Sequence, residues 1–240
     1  MIKVQDLILQ EDENLVVINK PAGLLTIPGR DPKEISLKQL LKQHYGNIFT
    51  VHRLDKETSG LVVFAKNEES HKALSQLFEA RETIKIYKGL VMGSPSQKNG
   101  VINEPIAEHP VKKGLMTVYK KGKESITEYE VEEGFRLFTW MHFRILTGRT
   151  HQIRVHMKHL GHPIVCDELY GDGKPVFISS IKKKNYNLSK EEEAERPILS
   201  RLALHATRLE FQLGEKVYQL EAPLPKDLRA LLQQLRKHKG

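Results

Sequence analysis

Short apolar runs rich in β-branched residues, each bounded by turn-forming residues, constrain the fold of this sequence most strongly. Residues 15–18 run into the turn signal Asn19-Lys20-Pro21-Ala22-Gly23, and Ser59–Ala65 is a second buried-strand candidate. The alternating segment 84–91 predicts a third strand. The first half of the chain is therefore predicted to consist mainly of strands separated by turns.

The second half repeats this pattern with longer strands. Segments 126–131 and 138–146 flank Glu132-Glu133-Gly134, and this arrangement predicts an antiparallel pair. A second pair is predicted at Leu204–Leu213 and 217–221. Because helices are interspersed irregularly among the strands, the sequence favours an α+β fold with a mainly antiparallel sheet.

Three segments are predicted to be helical. Residues 68–81 place apolar side chains at i, i+3 and i+4 on one face. A second helix is predicted to begin with Thr150 as its N-cap and to end at Gly161. A third follows Pro225 and carries four leucines on one face.

One domain is expected over residues 1–240, because the sequence has no internal repeat and no Pro- or Ser-rich linker. Within it, residues 172–200 contain the charge blocks Lys182-Lys183-Lys184 and Glu191-Glu192-Glu193. Blocks of like charge are typical of solvated segments, so we expect a surface insertion there.

Charge and cysteine usage limit the partners and the compartment. Lysine and arginine outnumber the acids by 38 to 30, a net charge of +8, which favours a polyanion such as RNA but also fits a basic, well-solvated surface. The single cysteine, Cys166, excludes an intramolecular disulfide and suits a reducing cytoplasm. No stretch approaches the roughly 20 apolar residues of a membrane span, so we expect a cytoplasmic protein.

The densest cluster of reactive side chains is His52-Arg53-Leu54-Asp55. If the preceding residues are extended, Asp55 lies at the end of a strand, where functional side chains often project from a rigid scaffold. Taken alone, an aspartate between Arg53 and Lys56 equally fits a turn or a surface salt bridge.

A second cluster spans residues 147–156. Ile153, Met157 and Leu160 are spaced to pack inward, which places Arg154 at the edge of the buried face. An arginine there could bind a carboxylate through two hydrogen bonds and keep it ionised. The alternative is a surface helix that carries several basic residues.

These clusters, in their order along the chain, closely resemble the motifs of RluA-type pseudouridine synthases, and the resemblance spans nearly the whole chain. The matching segments are Asn19-Lys20-Pro21-Ala22-Gly23, His52-Arg53-Leu54-Asp55 with Thr58-Ser59-Gly60, 147–156, Leu160-Gly161-His162-Pro163-Ile164 and Asp167 with Tyr170-Gly171. The resemblance implies an enzyme that isomerises uridines in structured RNA, namely large-subunit ribosomal RNA, transfer RNA or both.

The resemblance also implies a role for individual residues. Asp55 matches the catalytic aspartate, and Arg154 matches the basic residue paired with it. Tyr87 matches the active-site tyrosine, which stacks on the target base and is a candidate for removing a proton. Arg53 matches the arginine that fills the gap left by the flipped nucleotide. The other expected RNA contacts are His52, Lys20, Arg149, His151 and Gln152, and the expected pocket wall is Leu54 and Ile153.

The expected chemistry needs no cofactor. Pseudouridine formation breaks the N1–C1′ bond of uridine, turns the uracil and joins C5 to C1′, so no atom is gained or lost. A carboxylate either attacks C1′ or removes the C2′ proton, and the sequence leaves both routes open. Both routes require the base to leave its stack, which costs a few kcal/mol.

Two alternatives remain open at this stage. One is a catalytically silent RNA-binding or ribosome-assembly protein on the same fold. The other is a metal-dependent hydrolase, but only His156 and His159 form a close helical pair, so we expect no metal site. About a dozen residues precede the first strand, so we expect a compact member of the family without an S4 domain. We also expect a monomer.

Overall fold

The computed structural model describes residues 3–182 and 195–239, so Lys183, Lys184 and Glu191-Glu192-Glu193 of the expected insertion lie outside the described residues. Besides a 3-10 helix at Val4–Leu7, the described residues form twelve strands and five α-helices. In chain order they are β1 (Ile8–Glu11), β2 (Leu15–Lys20), α1 (Leu37–Tyr45), β3 (Phe49–Thr50), β4 (Ser59–Ala65), α2 (Glu68–Glu79), β5 (Ile84–Met92), β6 (Asn99–Asn103), β7 (Ile106–Glu108), β8 (Met116–Val118), β9 (Ile126–Gly134), β10 (Phe138–Ile145), α3 (Gln152–His159), α4 (Ile178–Ile181), β11 (Leu204–Leu213), β12 (Lys216–Glu221) and α5 (Lys226–Lys237).

The chain divides into two compact units. Unit 1 contains Met1–Tyr87, Arg144–Leu146 and His205–Pro223, and its strands follow the order β1-β2-β4-β11. Strand β2 is antiparallel to β1 and β4, β12 is antiparallel to β11, and β11 is parallel to β4. The sheet is thus mixed and mostly antiparallel, which confirms the predicted α+β class.

Strand β4 is buried along its whole length, because both faces of the unit 1 sheet are covered. On one face Val62 and Phe64 pack with Leu37 and Leu41 of α1. On the other face the apolar cluster includes Leu74 of α2 and side chains from β11 and β12. This burial explains why β4 is continuously apolar instead of alternating.

Unit 2 contains Lys88–Phe143, Thr147–Leu204 and Leu224–Gly240. Its strands include the order β10-β9-β6, with β6 antiparallel to β9, and a separate antiparallel pair of β7 and β8. Helix α5 buries the four leucines of its predicted apolar face. Strands β5 and β10 contribute residues to both units.

Helix α2 begins at the predicted residue and ends two residues earlier than predicted. The side chain of Asn67 caps it by accepting a hydrogen bond from Ser70 N at 2.8 Å. Beyond its end, Arg81 adopts a left-handed backbone with φ 63°, which no helix can continue.

Helix α3 corrects two expectations. Its N-cap is His151 and not Thr150, because His151 has a left-handed backbone with φ 57° and its carbonyl accepts from Val155 N. Leu160 is 38% exposed instead of packed inward, because it is the C-cap residue beyond the last helical turn. The helix itself ends at His159, and the predicted terminating Gly161 follows the cap with φ 83°.

Gly60 permits the close parallel approach of β4 and β11, and the variant Gly60→Ala tests this constraint. Gly60 has φ 114°, and an added Cβ would overlap the carbonyl oxygen of Ala206 and lie 2.6 Å from Ala206 N. We expect Gly60→Ala to lower the free energy of unfolding by about 3 kcal/mol or more in urea titrations. The control is Gly134→Ala, where an added Cβ meets no atom within 4 Å and we expect a change of less than about 1 kcal/mol. Equal stability of the two variants would contradict the proposed constraint.

Candidate active site

Asp55 lies in the loop that connects β3 to β4, and the backbone on its N-terminal side is clamped by one threonine. Thr26 Oγ1 donates to the carbonyl oxygen of Leu54 at 2.8 Å and accepts from Leu54 N at 3.1 Å. Leu54 itself is buried in the unit 1 core. After Asp55 the chain turns, with Thr58 N donating to Asp55 O at 3.2 Å. The backbone that carries Asp55 is therefore fixed from both sides.

The ammonium group of Lys20 holds the C-terminal side of the same loop. Lys20 is fully buried, and its Nζ donates to the carbonyl oxygens of Pro21, Leu24 and Lys56 at 2.9, 2.7 and 2.9 Å. The Lys56 carbonyl also accepts from Gly23 N at 2.9 Å. A buried cation is tolerated only when its donors are satisfied, and here three carbonyls satisfy them. Lys20 thus holds the loop through these bonds, and its RNA contact stays a prediction.

Tyr87 in β5 packs against the apolar cluster that contains Leu54. Burial, together with the negative charge of Asp55, raises the pKa of the Tyr87 phenol well above its usual value. The phenol is therefore protonated at neutral pH, and its charge state responds to Asp55. The charge of Asp55 therefore acts on the pKa of Tyr87, the tyrosine that the resemblance assigns to the same site.

The two residues before Leu54 have different environments. Arg53 is exposed. His52 Nε2 accepts a hydrogen bond from Val63 N at 3.1 Å, and its ring stacks on Phe78 at a centroid distance of 4.7 Å. Burial and the nearby charge of Lys85 lower the pKa of His52 to about 3. His52 is therefore neutral with its proton on Nδ1, and its RNA contact stays a prediction.

In unit 2, Arg154 is held in an ion pair by Asp167. Nε donates to Asp167 Oδ2 at 2.8 Å and Nη2 to Oδ1 at 2.7 Å. Arg154 is 4% exposed, so the expectation that it lies at the edge of the buried face of α3 is wrong. The expected bidentate carboxylate contact exists, with Asp167 as the acceptor. The pairing of Arg154 with Asp55, implied by the resemblance, stays a prediction.

Gln152 organises the turn that leads into α3. Its Oε1 accepts from Thr147 Oγ1 at 2.7 Å and from Arg149 N at 3.0 Å. Its Nε2 donates to Ile126 O at 2.9 Å and to Thr127 Oγ1 at 3.0 Å. All four hydrogen-bonding positions of the buried amide are thus used within the protein. This environment indicates that Gln152 shapes the turn, and its RNA contact stays a prediction.

The remaining predicted site residues of this turn lie around Gln152. Arg149 is half-buried and its Nε donates to Glu124 O at 2.9 Å. His151 Nδ1 lies 2.7 Å from the hydroxyl of Tyr170, and Ile153 is buried. Neither Tyr170 nor Asp167 was given a role from the sequence, although both belong to a motif that matches the family. The signal that could have pointed to them is an acidic residue three positions before a tyrosine.

The part of the chain that the structure describes contains neither a metal-binding group nor a membrane-spanning helix. Within residues 3–182 and 195–239, no three side chains of His, Cys, Asp or Glu are grouped to hold a metal ion. The ring of His156 instead contacts Thr127 Oγ1 and Glu104 O, each at 2.9 Å. In the same described ranges, every helix is too short or too polar to cross a membrane.

Comparisons with known proteins agree on one family. The family described as RNA pseudouridylate synthase matches residues 14–159. Ribosomal large subunit pseudouridine synthase D of Buchnera aphidicola is 38% identical over 95% of this chain and 73% of its own length. The protein of that name from Escherichia coli K12 is 36% identical over 95% of this chain and 70% of its length. The solved structure of human RNA pseudouridylate synthase domain containing 4 superposes with a TM-score of 0.73 at 27% identity, over 97% of this chain and 94% of that one.

The role of Lys20 in holding the loop predicts a large stability effect. Lys20→Met removes three hydrogen bonds to carbonyls, so we expect the free energy of unfolding to fall by about 2–4 kcal/mol. The control is Lys66→Met, because Lys66 Nζ also donates to a carbonyl, Asp12 O at 2.7 Å, but is partly exposed. We expect that variant to lose less than about 1 kcal/mol in the same urea titration. If the two variants lost the same free energy of unfolding, the prediction that Lys20 holds the loop would be contradicted.

The low pKa of His52 predicts a specific acid sensitivity. Below pH 6.5 the unfolded histidine takes up a proton, whereas in the folded protein it does so only near pH 3. The unfolded state therefore binds more protons in this window, and stability decreases as the pH falls from 6.5. We expect His52→Gln to lessen that decrease by up to about 1.4 kcal/mol per pH unit, measured by urea titration between pH 7 and 5. An unchanged slope in His52→Gln would contradict the prediction.

Proposed function

Because this chain belongs to the RNA pseudouridylate synthase family, we propose that it converts specific uridines of large-subunit ribosomal RNA into pseudouridine. The observation that carries the proposal is the identity of 36–38% to ribosomal large subunit pseudouridine synthases D over 95% of this chain. The excess of basic residues, 38 against 30 acids, supports an RNA substrate. Transfer RNA is the alternative substrate, and the experiment below includes it.

Asp55 is the proposed catalytic carboxylate. Its loop is fixed by Thr26 on one side and by Lys20 on the other, so the backbone loses little further freedom when substrate binds. The carboxylate either attacks C1′ of the flipped uridine or removes its C2′ proton, and the N1–C1′ bond breaks with its electron pair left on N1. The uracil then turns and C5 bonds to C1′, which displaces the carboxylate or returns the proton to C2′. C5 finally loses its proton and N1 takes one up. Arg154 is the proposed cationic partner of Asp55.

Tyr87 is proposed to stack on the uracil as a neutral phenol. Its raised pKa supports this role, because a phenol that stays protonated at neutral pH is a poor resting base. An aromatic ring in an apolar setting offers the stacking surface that a flipped base loses when it leaves the helix. Leu54 and Ile153, both buried, are the proposed apolar walls.

Arg53 is the proposed filler of the gap that the flipped base leaves, and its exposure supports this role. Arg149 is the proposed phosphate contact of the α3 turn. Lys20 and Gln152, whose polar atoms are used inside the protein, are proposed to position their loops. No atom is gained or lost in the isomerisation, so no cofactor or metal is proposed. One domain, a monomeric state and a cytoplasmic location stay expectations from the sequence.

Asp55→Asn tests the reaction and the residue together. We expect this variant to form pseudouridine at least about 10³-fold more slowly than wild type, because an amide neither attacks C1′ nor accepts the proton. Its RNA affinity should stay within a few-fold. The assay incubates each protein with transcribed large-subunit ribosomal RNA or transfer RNA and maps pseudouridine by carbodiimide adducts and mass spectrometry.

The control for this experiment is Asp31→Asn, an exposed loop aspartate of unit 1 that caps Lys33 N. It should retain the wild-type rate. Turnover by Asp55→Asn would remove the assigned role, and conversion of transfer RNA alone would change the proposed substrate. Wild-type protein that binds RNA without forming pseudouridine on either substrate would favour the silent RNA-binding alternative.

A further inference from the structure

The guanidinium of Arg154 is enclosed by Asp167 and Tyr170. Asp167 binds its edge through Nε and Nη2, and the two side chains are 5% and 0% exposed. Tyr170 covers its face, with the guanidinium carbon 5.0 Å from the ring centroid. The position and the plane of the guanidinium are therefore both set by neighbours within unit 2.

We propose that Asp167 is a positioning residue for Arg154 in pseudouridine formation, with Tyr170 fixing the face of the guanidinium. The inference rests on the proposed function, in which Arg154 is the cation of the active site. Binding through Nε and Nη2 turns the Nη1 edge of the guanidinium away from Asp167. Asp167 thereby determines the direction in which that edge presents its charge.

Asp167 is itself held rigidly. Its Oδ1 accepts from Leu169 N at 2.9 Å and from Tyr170 N at 3.0 Å, in addition to Arg154 Nη2. A carboxylate with three donors on one oxygen has little freedom to follow a moving arginine. Asp167 is consequently the rigid partner of the pair, and the guanidinium of Arg154 adopts the orientation that its two hydrogen bonds to Asp167 require.

Tyr170 is anchored through its hydroxyl. Met116 N donates to Tyr170 Oη at 2.9 Å, and the same hydroxyl shares a hydrogen bond with His151 Nδ1 at 2.7 Å. His151 is the N-cap of α3, and Arg154 is the third residue of that helix. The same hydrogen-bond chain therefore links β8, Tyr170 and the start of the helix that carries Arg154.

Stability alone does not account for this arrangement. A fully buried ion pair loses the hydration of both charges, and apolar residues of similar size often stabilise a protein equally well. The same bidentate geometry occurs between Arg201 and Asp227, at 2.7 Å for both bonds, where the side chains are 15% and 37% exposed. That pair joins the segment before β11 to the first turn of α5 and contains no proposed site residue. It provides a matched control within unit 2.

The test compares Asp167→Asn with Asp227→Asn. In Asp167→Asn one oxygen can still accept from Leu169 N and Tyr170 N, but the amide nitrogen faces the donor Nε of Arg154 and releases the guanidinium. We expect the single-turnover rate on saturating ribosomal RNA to fall about 10²-fold, while the Kd for RNA stays within about 3-fold. Asp227→Asn should keep the rate within about 2-fold of wild type, at a temperature where melting curves show all three proteins folded.

Asp167→Glu keeps the test decisive if Asp167→Asn fails to fold. The glutamate preserves the charge and the pair but moves the guanidinium by about 1 Å, a displacement that can slow a reaction about 10²-fold. A folded Asp167→Glu protein with the wild-type rate, or an Asp167→Asn rate equal to that of Asp227→Asn, would overturn the inference. In both cases wild type still forms pseudouridine; if wild type itself forms none, it is the proposed function that fails.

Discussion

The buried ammonium of Lys20 is the interaction on which the geometry of the Asp55 loop depends. Removing a charge from water is costly unless hydrogen bonds compensate, and here the carbonyls of Pro21, Leu24 and Lys56 do so. Those carbonyls belong to two segments that are distant in sequence. The requirement to satisfy one cation therefore joins the turn after β2 to the residue that follows Asp55. A neutral side chain could fill the same space without imposing this connection.

The second constraint is the pairing of β4 with its neighbours, which determines where the loop ends. Strand β4 is parallel to β11 with Gly60 opposite Ala206, an approach that only a residue without Cβ permits. One residue earlier, Ser59 Oγ lies 2.9 Å from His205 Nδ1. The start of β4 is thus fixed in register. Asp55 lies four residues before it, in a loop whose backbone is also held by Thr26 and Lys20.

Much of this architecture was predictable, because the spacing of apolar residues along the sequence indicates which side chains are buried. The strands β2, β4, β11 and β12 and the start of α2 follow from it. Helix α1 was missed although Ser36 and Gln39 form a capping box, a signal present in the sequence. The internal hydrogen bonds of Lys20 and Gln152 were not predictable from residue type. A lysine or an amide in the sequence is equally compatible with a contact to RNA and with hydrogen bonds inside the protein. Likewise, residue type alone did not predict the left-handed backbone of His151, which makes His151 and not Thr150 the N-cap of α3.

Among residues 3–182 and 195–239, the buried lysine and the buried arginine, Lys20 and Arg154, solve the same physical problem in different ways. Lys20 donates hydrogen bonds to three backbone carbonyls, whose dipoles solvate its charge. Arg154 is neutralised by Asp167 along one edge, and Tyr170 covers one face. A point charge with three rotating donors suits a junction of backbone segments, whereas a planar guanidinium held along one edge has a defined direction. Lysine therefore suits a loop that is held at several carbonyls, and arginine suits the proposed role of α3, which is to present a charge in one orientation.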